Sequence, residues 1–395
     1  VEVSTPEEAD ILIYNTCAVK GPTEDRMISL LKRVPKGKKL LVAGCLPLIN
    51  FERLSREVEF DGAVGPAATH ELVEVLERIL RGERKVTVLN FNSKPPANAP
   101  VKLSNPIRRI IPVAYGCLGS CSYCCVRIAR GRLRSYTISE VVSQVERAIK
   151  VGVKEIWLTG QDLSCYGADL GLNLVQLLEE VVKVPGDFYV RVGMMKPSGL
   201  LAFLEDLVEV FTHPKIFKFI HIPVQSGANR VLKLMNRGYT REEFEEVVKA
   251  FRKRIPEISL ATDVICGFPG ESEEDFQQTL SLIEKTEPDI VNVSKFYPRP
   301  RTPARLLERL PTNIVKHRSR KAAILSAEVS LRRNRFWLGW RGKVLIDEVG
   351  LKGTMIGRNY AYKPIVVREN LKMGEKVEVE VREVFSNYLR GEVVG

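Results

Sequence analysis

Short apolar runs alternate with amphipathic stretches through the first ninety residues. ADILIYNT (Ala9 to Thr16) and KKLLVAG (Lys38 to Gly44) read as strands, followed by helical periodicity from Thr23 to Arg33 and beyond Pro47. A third run, FDGAVG, precedes a helical stretch from Thr69 to Arg81. Such alternation predicts a parallel α/β sheet. Ligands of these sheets gather beyond the carboxyl ends of the strands, where Cys17 and Cys45 both stand.

Phe91 to Pro106 is rich in Pro and small polar residues and reads as a linker. Beyond it, six apolar runs alternate with helical patterns: RIIPVAYG, EIWLTG, FYVRVGM, FKFIHIPV, LATDVICG and IVNVSKFYP. A partial barrel of parallel strands fits this, with its site at the carboxyl-terminal mouth, and so does an open doubly wound sheet. The helical patterns cover Ile138–Val151, Leu172–Lys183, Leu200–Phe211, Asn229–Met235, Arg241–Arg254 and Glu273–Lys285. A basic helical stretch follows from Asn313, and after Trp340 short alternating strands with Gly turns predict a small antiparallel β-barrel of five strands. The expected domains are 1–92, a linker 93–106, a barrel 107–335 and a terminal barrel 336–395.

The chain has 395 residues, 45% hydrophobic, with a net charge of +12. That surplus favours an anionic partner, nucleic acid first. No apolar run is long enough to span a bilayer, so no membrane is expected. The chain opens at Val1 without Met, so the natural start is expected to lie upstream. Eight Cys and four His suit metal ligation in a reducing compartment, the cytoplasm, better than a disulfide scaffold.

Three of the cysteines, Cys117, Cys121 and Cys124, lie in AYGCLGSCSYCCVRIARGRLRS with the spacing Cys-x3-Cys-x2-Cys. A cubane of four irons takes four thiolates, and three leave one iron open for the amino and carboxylate groups of a methionine. Gly116 and Gly119 let the loop bend, and Arg127, Arg130, Arg132 and Arg134 could balance an anionic cluster. The alternative is a zinc knuckle or three buried thiols, but zinc would want a fourth Cys or His nearby. Cys125, Cys165 and Cys266 read as small buried hydrophobes. Cys17 and Cys45, at equivalent places in repeated units, read as ligands of a second metal site.

With those residues in view, the sequence resembles the radical-SAM methylthiotransferases. The matches are NTCAV at Asn15–Val19, AGCLP at Ala43–Pro47, CLGSCSYC at Cys117–Cys124, LTGQD at Leu158–Asp162, HIPVQSG at His221–Gly227, MNRGYT at Met235–Thr240 and DVICGFPGE at Asp263–Glu271. The pattern is most similar to the archaeal and eukaryotic branch that modifies threonylcarbamoyladenosine of tRNA. The resemblance implies an N-terminal auxiliary-cluster domain, a radical-SAM partial (β/α)6 barrel and a C-terminal TRAM barrel. It also implies two 4Fe–4S clusters and S-adenosylmethionine as both methyl donor and radical source. The substrate would be N6-threonylcarbamoyladenosine at position 37 in the tRNA anticodon stem-loop, converted to its 2-methylthio derivative. An electron donor and a sulfur source would be needed.

Cys117, Cys121 and Cys124 would hold the first cluster. Cys17 and Cys45 would hold the second, whose third family ligand lies upstream of Val1. Two departures stand out: Arg301 in PRPRTP where the family usually has Gly, and Lys196 where it commonly has Asn. Gln161, Asp162, Arg191, Gln225 and Ser226 fall at or near barrel strand ends and are expected cofactor or substrate contacts; each could equally be a strand-end turn residue. Arg191 leads them, because a charge inside an apolar strand needs a partner. GFPGE lacks the length and Lys of a phosphate loop and reads as a cofactor-shaping turn. Arg332, Arg333, Arg335, Lys352, Arg358 and Lys363 are expected RNA contacts, with Tyr360 and Tyr362 as stacking rings. Rival readings are a methylthiotransferase acting on isopentenyladenosine tRNA or on a ribosomal-protein aspartate, a non-catalytic iron–sulfur RNA-binding protein, and a zinc-binding RNA protein.

Overall fold

A computed structural model describes residues 3, 5–89, 94–99 and 101–394. The chain divides into two compact units. Unit 1 comprises residues 1–99, 115–134 and 297–307; unit 2 comprises 100–114, 135–296 and 308–395. The cysteine-rich loop and the PRPRTP segment therefore belong to unit 1. Residues 93 and 100 of the expected linker lie outside the described residues, and 94–99 form no helix or strand.

Unit 1 is built on a four-stranded parallel sheet in chain order: β1 (Ile11–Thr16), β2 (Lys39–Gly44), β3 (Gly62–Val64) and β4 (Val86–Val88). Leu40 and Val42 on β2 pack with Ile28, Leu31, Leu46, Ile49 and Leu54 on one side, while Leu41 packs with Val64, Val75 and Ile79 on the other. Alternate burial on both faces is what a parallel sheet covered by helices requires. The fourth strand was not expected from the sequence; three residues with only Val86 buried give no period to read.

In unit 2, six parallel strands follow the six apolar runs: β5 (Arg108–Pro112), β6 (Glu155–Thr159), β7 (Tyr189–Val192), β8 (Phe219–His221), β9 (Ser259–Cys266) and β10 (Ile290–Lys295). Two three-stranded runs, β5-β6-β7 and β8-β9-β10, are joined by parallel bridges Val190↔Ile216 and Met194↔His221. The order is sequential with no reversal, which is the partial barrel and not the doubly wound sheet. Strong N-caps start four of the helices between these strands. Thr137, Asn173, Thr240 and Ser272 each form a capping box with Glu140, Gln176, Glu243 and Asp275. The stretch expected as one helix from Leu200 to Phe211 is broken into Pro197–Leu200, a tight turn Leu201–Phe203, and Leu204–Val210.

A 24-residue helix, Thr312–Arg335, leads to a closed five-stranded barrel: β11 (Arg341–Val349), β12 (Met355–Arg358), β13 (Pro364–Val367), β14 (Lys376–Val384) and β15 (Leu389–Val393). It is not wholly antiparallel as expected. β13 and β15 pair in parallel through Ile365↔Leu389 and Val366↔Arg390. Val344, Ile346, Ile365, Val367, Val379, Val381 and Leu389 fill the interior. Gly357 and Gly391 leave room where a Cβ would strike Val344 and Val379 at 2.2 and 2.3 Å.

Candidate active site

The NTC and AGC motifs interlock for a steric reason. Thr16 pairs with Gly44 at the last rung of β1 and β2, and Thr16 Oγ1 donates to Ala43 O at 2.7 Å. Gly44 has φ 98°, and a Cβ there would lie 2.4 Å from Thr16 O and 2.6 Å from Asn15 Oδ1, so only glycine fits. The next residues, Cys17 and Cys45, thereby stand side by side beyond the sheet. Cys17 is exposed, while Cys45 opens the buried turn Cys45–Ile49. Burial pushes the Cys45 thiol up, opposed by the positive charge of nearby Arg130.

The second cysteine group sits in a pinched loop. Gly116, at φ 80°, crosses Arg132 so closely that a Cβ would be 2.0 Å from Arg132 O, and Cys117 N donates to Gly131 O. Gly119 N donates to Cys117 Sγ at 3.2 Å. A Cβ on Gly119 would sit 3.3 Å from Cys117 Sγ and 3.8 Å from Cys121 Sγ, so two sulfurs share one side of this glycine. Burial pushes the Cys124 thiol up to about 12, with Val126 N–H pulling down and Cys121, Cys125 and Cys117 adding to the rise. The donor set fits a cluster: three thiols in one self-closed loop, an N–H aimed at sulfur, and arginines close by. Arg130 lies 4.9 Å from the centre of the Tyr115 ring. Among the described residues no three His, Cys, Asp or Glu side chains converge on a single-ion site. Cys125 is buried with its Sγ facing Ala18 O and Val19 O at 3.8 Å, and Cys266 is buried with its thiol pushed up to about 12.

The PRPRTP segment is anchored in the same unit. Buried Glu24 accepts from Asn50 at 2.7 Å, Arg53 at 2.9 Å and Arg299. Arg301 donates to Leu48 O. Arg301 has φ 57°, which explains why glycine suits this position and why an arginine there has to be held.

In unit 2 the expected strand-end residues fare differently. Asp162 accepts from Ser164 N, Ser164 Oγ and Lys196 N at 3.1, 2.6 and 3.1 Å, tying the β6 loop to the β7 loop. Ser226 is fully buried, accepts from Ala228 N and lies 3.3 Å from Thr279 Oγ1, as a turn residue would. Gln161 is half-buried at the end of β6. Gln225 is buried with φ 72°, pinned to β9 by its backbone N–H to Asp263 O at 2.8 Å and its carbonyl to Ile265 N at 2.9 Å. A non-glycine residue held in that region marks a place where the surroundings enforce conformation. Arg191 lies within β7, its guanidinium carbon 4.7, 4.9 and 5.4 Å from the Trp157, Phe219 and Tyr362 ring centres.

The sequence reading missed His221 and Asp263. His221 Nε2 lies 3.1 Å from Asp263 Oδ1, which also accepts from Asn292 at 2.8 Å, across β8, β9 and β10. The signal available was the one that exposed Arg191, a polar residue inside an apolar strand. Arg237 of MNRGYT is buried and donates to Pro223 O at 3.1 Å, bracing the loop after β8. Glu271 of GFPGE accepts from Gly267 N at 2.9 Å and Arg318 Nη1 at 2.8 Å, which supports a shaping turn.

Several expected RNA contacts are paired within the chain. Lys363 is buried on Asp289 and Asn334 at 2.7 Å each. Arg358 bonds Asp347 at 3.2 Å, Arg333 lies 3.4 Å from Asp289, and Arg332 bonds Glu287 at 2.7 Å. Tyr362 packs on Phe217 and Phe219, and Tyr360 OH donates to Glu257. Charge alone suggested these contacts; acids 11 to 74 residues away satisfy the charges instead. Arg335 and Lys352 are exposed, as are Lys316, Arg320 and Lys321.

Family models match residues 1–65 (Uncharacterized protein family UPF0004), 111–283 (Radical SAM superfamily) and 339–394 (TRAM domain). The chain is 42% identical to a Pyrococcus horikoshii protein named "Probable threonylcarbamoyladenosine tRNA methylthiotransferase", over 99% of this chain and 92% of that one. It is 36% identical to the Drosophila melanogaster threonylcarbamoyladenosine tRNA methylthiotransferase (99% and 72%) and 35% identical to the human protein of that name (98% and 68%). Among solved structures it is similar to the radical S-adenosylmethionine methyltransferase TsrM from Kitasatospora setae, with cobalamin and a 4Fe–4S cluster bound. That match has TM-score 0.55 and 17% identity, over 76% of this chain and 65% of that one, and speaks for the fold alone. By its motifs, its fold and these full-length relatives, the chain belongs to the threonylcarbamoyladenosine tRNA methylthiotransferase family, within the radical SAM superfamily.

Proposed function

We propose that this enzyme converts N6-threonylcarbamoyladenosine at position 37 of tRNA to its 2-methylthio derivative, using S-adenosylmethionine as methyl donor and radical source. The observation that carries the reading is the self-closed loop of Cys117, Cys121 and Cys124, in a chain that also holds a six-stranded parallel partial barrel and a TRAM barrel. The adenine C2 hydrogen is not acidic, so acid–base catalysis cannot remove it. When bound, a cluster with an open iron supplies the electron that splits S-adenosylmethionine and so makes a hydrogen-abstracting radical.

This chain's residues do the holding and placing. Cys117, Cys121 and Cys124 hold the first cluster, with Gly119 N–H stabilising the Cys117 thiolate. Cys17 and Cys45 contribute two ligands to an auxiliary cluster, with Arg130 balancing its charge; their adjacency beyond the carboxyl ends of β1 and β2 supports this. Because thiolates are the ligands, loading releases protons and is favoured at higher pH. Gln161 and Gln225, at strand ends, contact cofactor or substrate, while Asp162 and Ser226 shape the loops around them. The domain boundaries 1–92, 107–335 and 336–395 follow the motifs. Lys316, Arg320, Lys321, Arg335 and Lys352, all exposed, present positive charge to the anticodon stem-loop. An electron donor and a sulfur source complete the reaction, which takes place in the cytoplasm. Among the described residues no helix is long and apolar enough to cross a membrane.

The test is mass spectrometry of nucleosides from threonylcarbamoyl-bearing tRNA incubated without air with reconstituted protein, S-adenosylmethionine, sulfide and a reductant. The 2-methylthio nucleoside is the expected product. Its absence in the presence of deoxyadenosine formation would reject the substrate.

A further inference from the structure

We propose that Arg191 recognises the carboxylate of the threonylcarbamoyl group, and so sets which modified adenosine the enzyme accepts. This rests on the function proposed above and names a specificity determinant for it.

Arg191 is on the inner face of the partial barrel. It stands in register with Trp157 of β6, between the buried, outward-packed Val190 and Val192. Trp157 and Phe219 flank it on the neighbouring strands, and Tyr362 approaches from a third side. Its buried Nε has no hydrogen-bond partner, and among the described residues the side chain makes no ion pair. Glu155, whose charge acts on Arg191, is already engaged: Oε1 accepts from Trp157 Nε1 at 2.6 Å and Oε2 from Arg108 Nε at 3.1 Å. The chain has thus placed a permanent cation among three rings and left its hydrogen-bonding edge unused. Rings satisfy the face of a guanidinium, not its N–H groups.

The direction of approach follows from the C-terminal barrel. That barrel touches the partial barrel at the starts of its strands: Asp347 on Arg108, Tyr360 O on Lys218 N at 2.7 Å, and Tyr362 on Phe217. The side left for a ligand is the carboxyl-terminal mouth, where substrates of such barrels enter.

The chemistry selects the ligand. Threonine joined to the base through its nitrogen keeps a free carboxylate, the planar anion an arginine fork fits best. Isopentenyladenosine and unmodified adenosine offer no anion. S-adenosylmethionine carries a carboxylate too, but in the proposed reaction the open iron of the cluster would take that group.

The experiment measures binding by fluorescence anisotropy at fixed salt, using the full chain and two synthetic anticodon stem-loops, one with threonylcarbamoyladenosine and one with adenosine. The native protein is expected to prefer the threonylcarbamoyl stem-loop by about tenfold or more. Arg191→Met should hold both within about twofold of each other, with adenosine stem-loop affinity unchanged. Arg191→Lys should restore part of the preference. A preference that survives in Arg191→Met overturns the proposal, and so does an equal loss for both stem-loops. Retained preference with a tenfold weaker affinity for S-adenosylmethionine assigns the guanidinium to the cofactor and also overturns it. Nucleoside mass spectrometry on the native protein runs in parallel. If it forms the 2-methylthio product while Arg191→Met keeps the preference, only the assignment of Arg191 falls. If it forms none, the function falls and the assignment with it.

Discussion

Single positions carry conformations that decide what this chain can hold. Gly44 sits where a Cβ would overlap Thr16 and Asn15, and it sets the two adjacent cysteines side by side. Gly44→Ala should lower stability by roughly 2 kcal/mol or more, from left-handed strain plus the clash. Differential scanning calorimetry would show it as a lower first transition, and iron analysis as a deficit after reconstitution. Arg301 presents the reverse case, a strained residue held by its bond to Leu48 O. Arg301→Gly should leave the melting temperature nearly unchanged, because relief of about 1 kcal/mol offsets the lost bond. Arg301→Ala, which keeps the strain and loses the bond, should lower it. Among the thiols, alkylation of the metal-free protein at pH 8 should modify exposed Cys17 early. Buried Cys125 and Cys266 should resist until denaturant is added, as peptide mass mapping would record.

At the scale of elements, buried ion pairs join the long basic helix to the partial barrel. Arg318 of that helix bonds Glu271, and both are nearly inaccessible. Arg318→Ala should destabilise by about 3–5 kcal/mol, since it strands a buried carboxylate. The pair Arg318→Met with Glu271→Gln should recover much of that loss in denaturant melts. The Lys363–Asp289 pair gives a pH signature. Burial pushes Asp289 up, but Lys363 and Arg333 outweigh it and hold its carboxyl below the usual value. A lowered folded pKa means stability that is fully present above the unfolded value near 4 and is lost as pH falls through the folded one. Asp289→Asn should therefore be less stable than native protein at pH 7, and the difference should shrink below pH 4.

Over the whole molecule, a net charge of +12 coexists with much internal pairing, and only the unpaired cations are free to meet phosphate. RNA affinity should fall steeply with salt, with a log–log slope of about −3 to −5 for some five contacts. Lys316→Gln or Lys352→Gln should make that slope shallower by about one; Arg333→Gln, which removes a cation already facing Asp289, should not. The same contrast explains what the sequence could and could not reveal. The parallel strands were legible because each is a continuous apolar run bounded by turns, and the loop of Cys117, Cys121 and Cys124 because its spacing is local. Lys363 and Arg358 were misread because Asp289 and Asp347, which satisfy them, are distant along the chain or hidden in another strand. His221 and Asp263 each stand out as a polar residue in an apolar strand, but only the fold sets β8 against β9 and brings the two together. The break at Leu201–Phe203 has no mark in the hydrophobic pattern, which reads straight through it.

Tyr362, at φ 61°, inserts its ring against Trp157, Phe217 and Phe219 and under Arg191. The terminal module is thus a stopper as well as a handle. Exchanging it for the equivalent module of a relative, without also exchanging these ring positions, would unseal the catalytic barrel from below. Hybrid enzymes assembled at residue 336 would then leave Arg191, Trp157 and Phe219 open to water on that side.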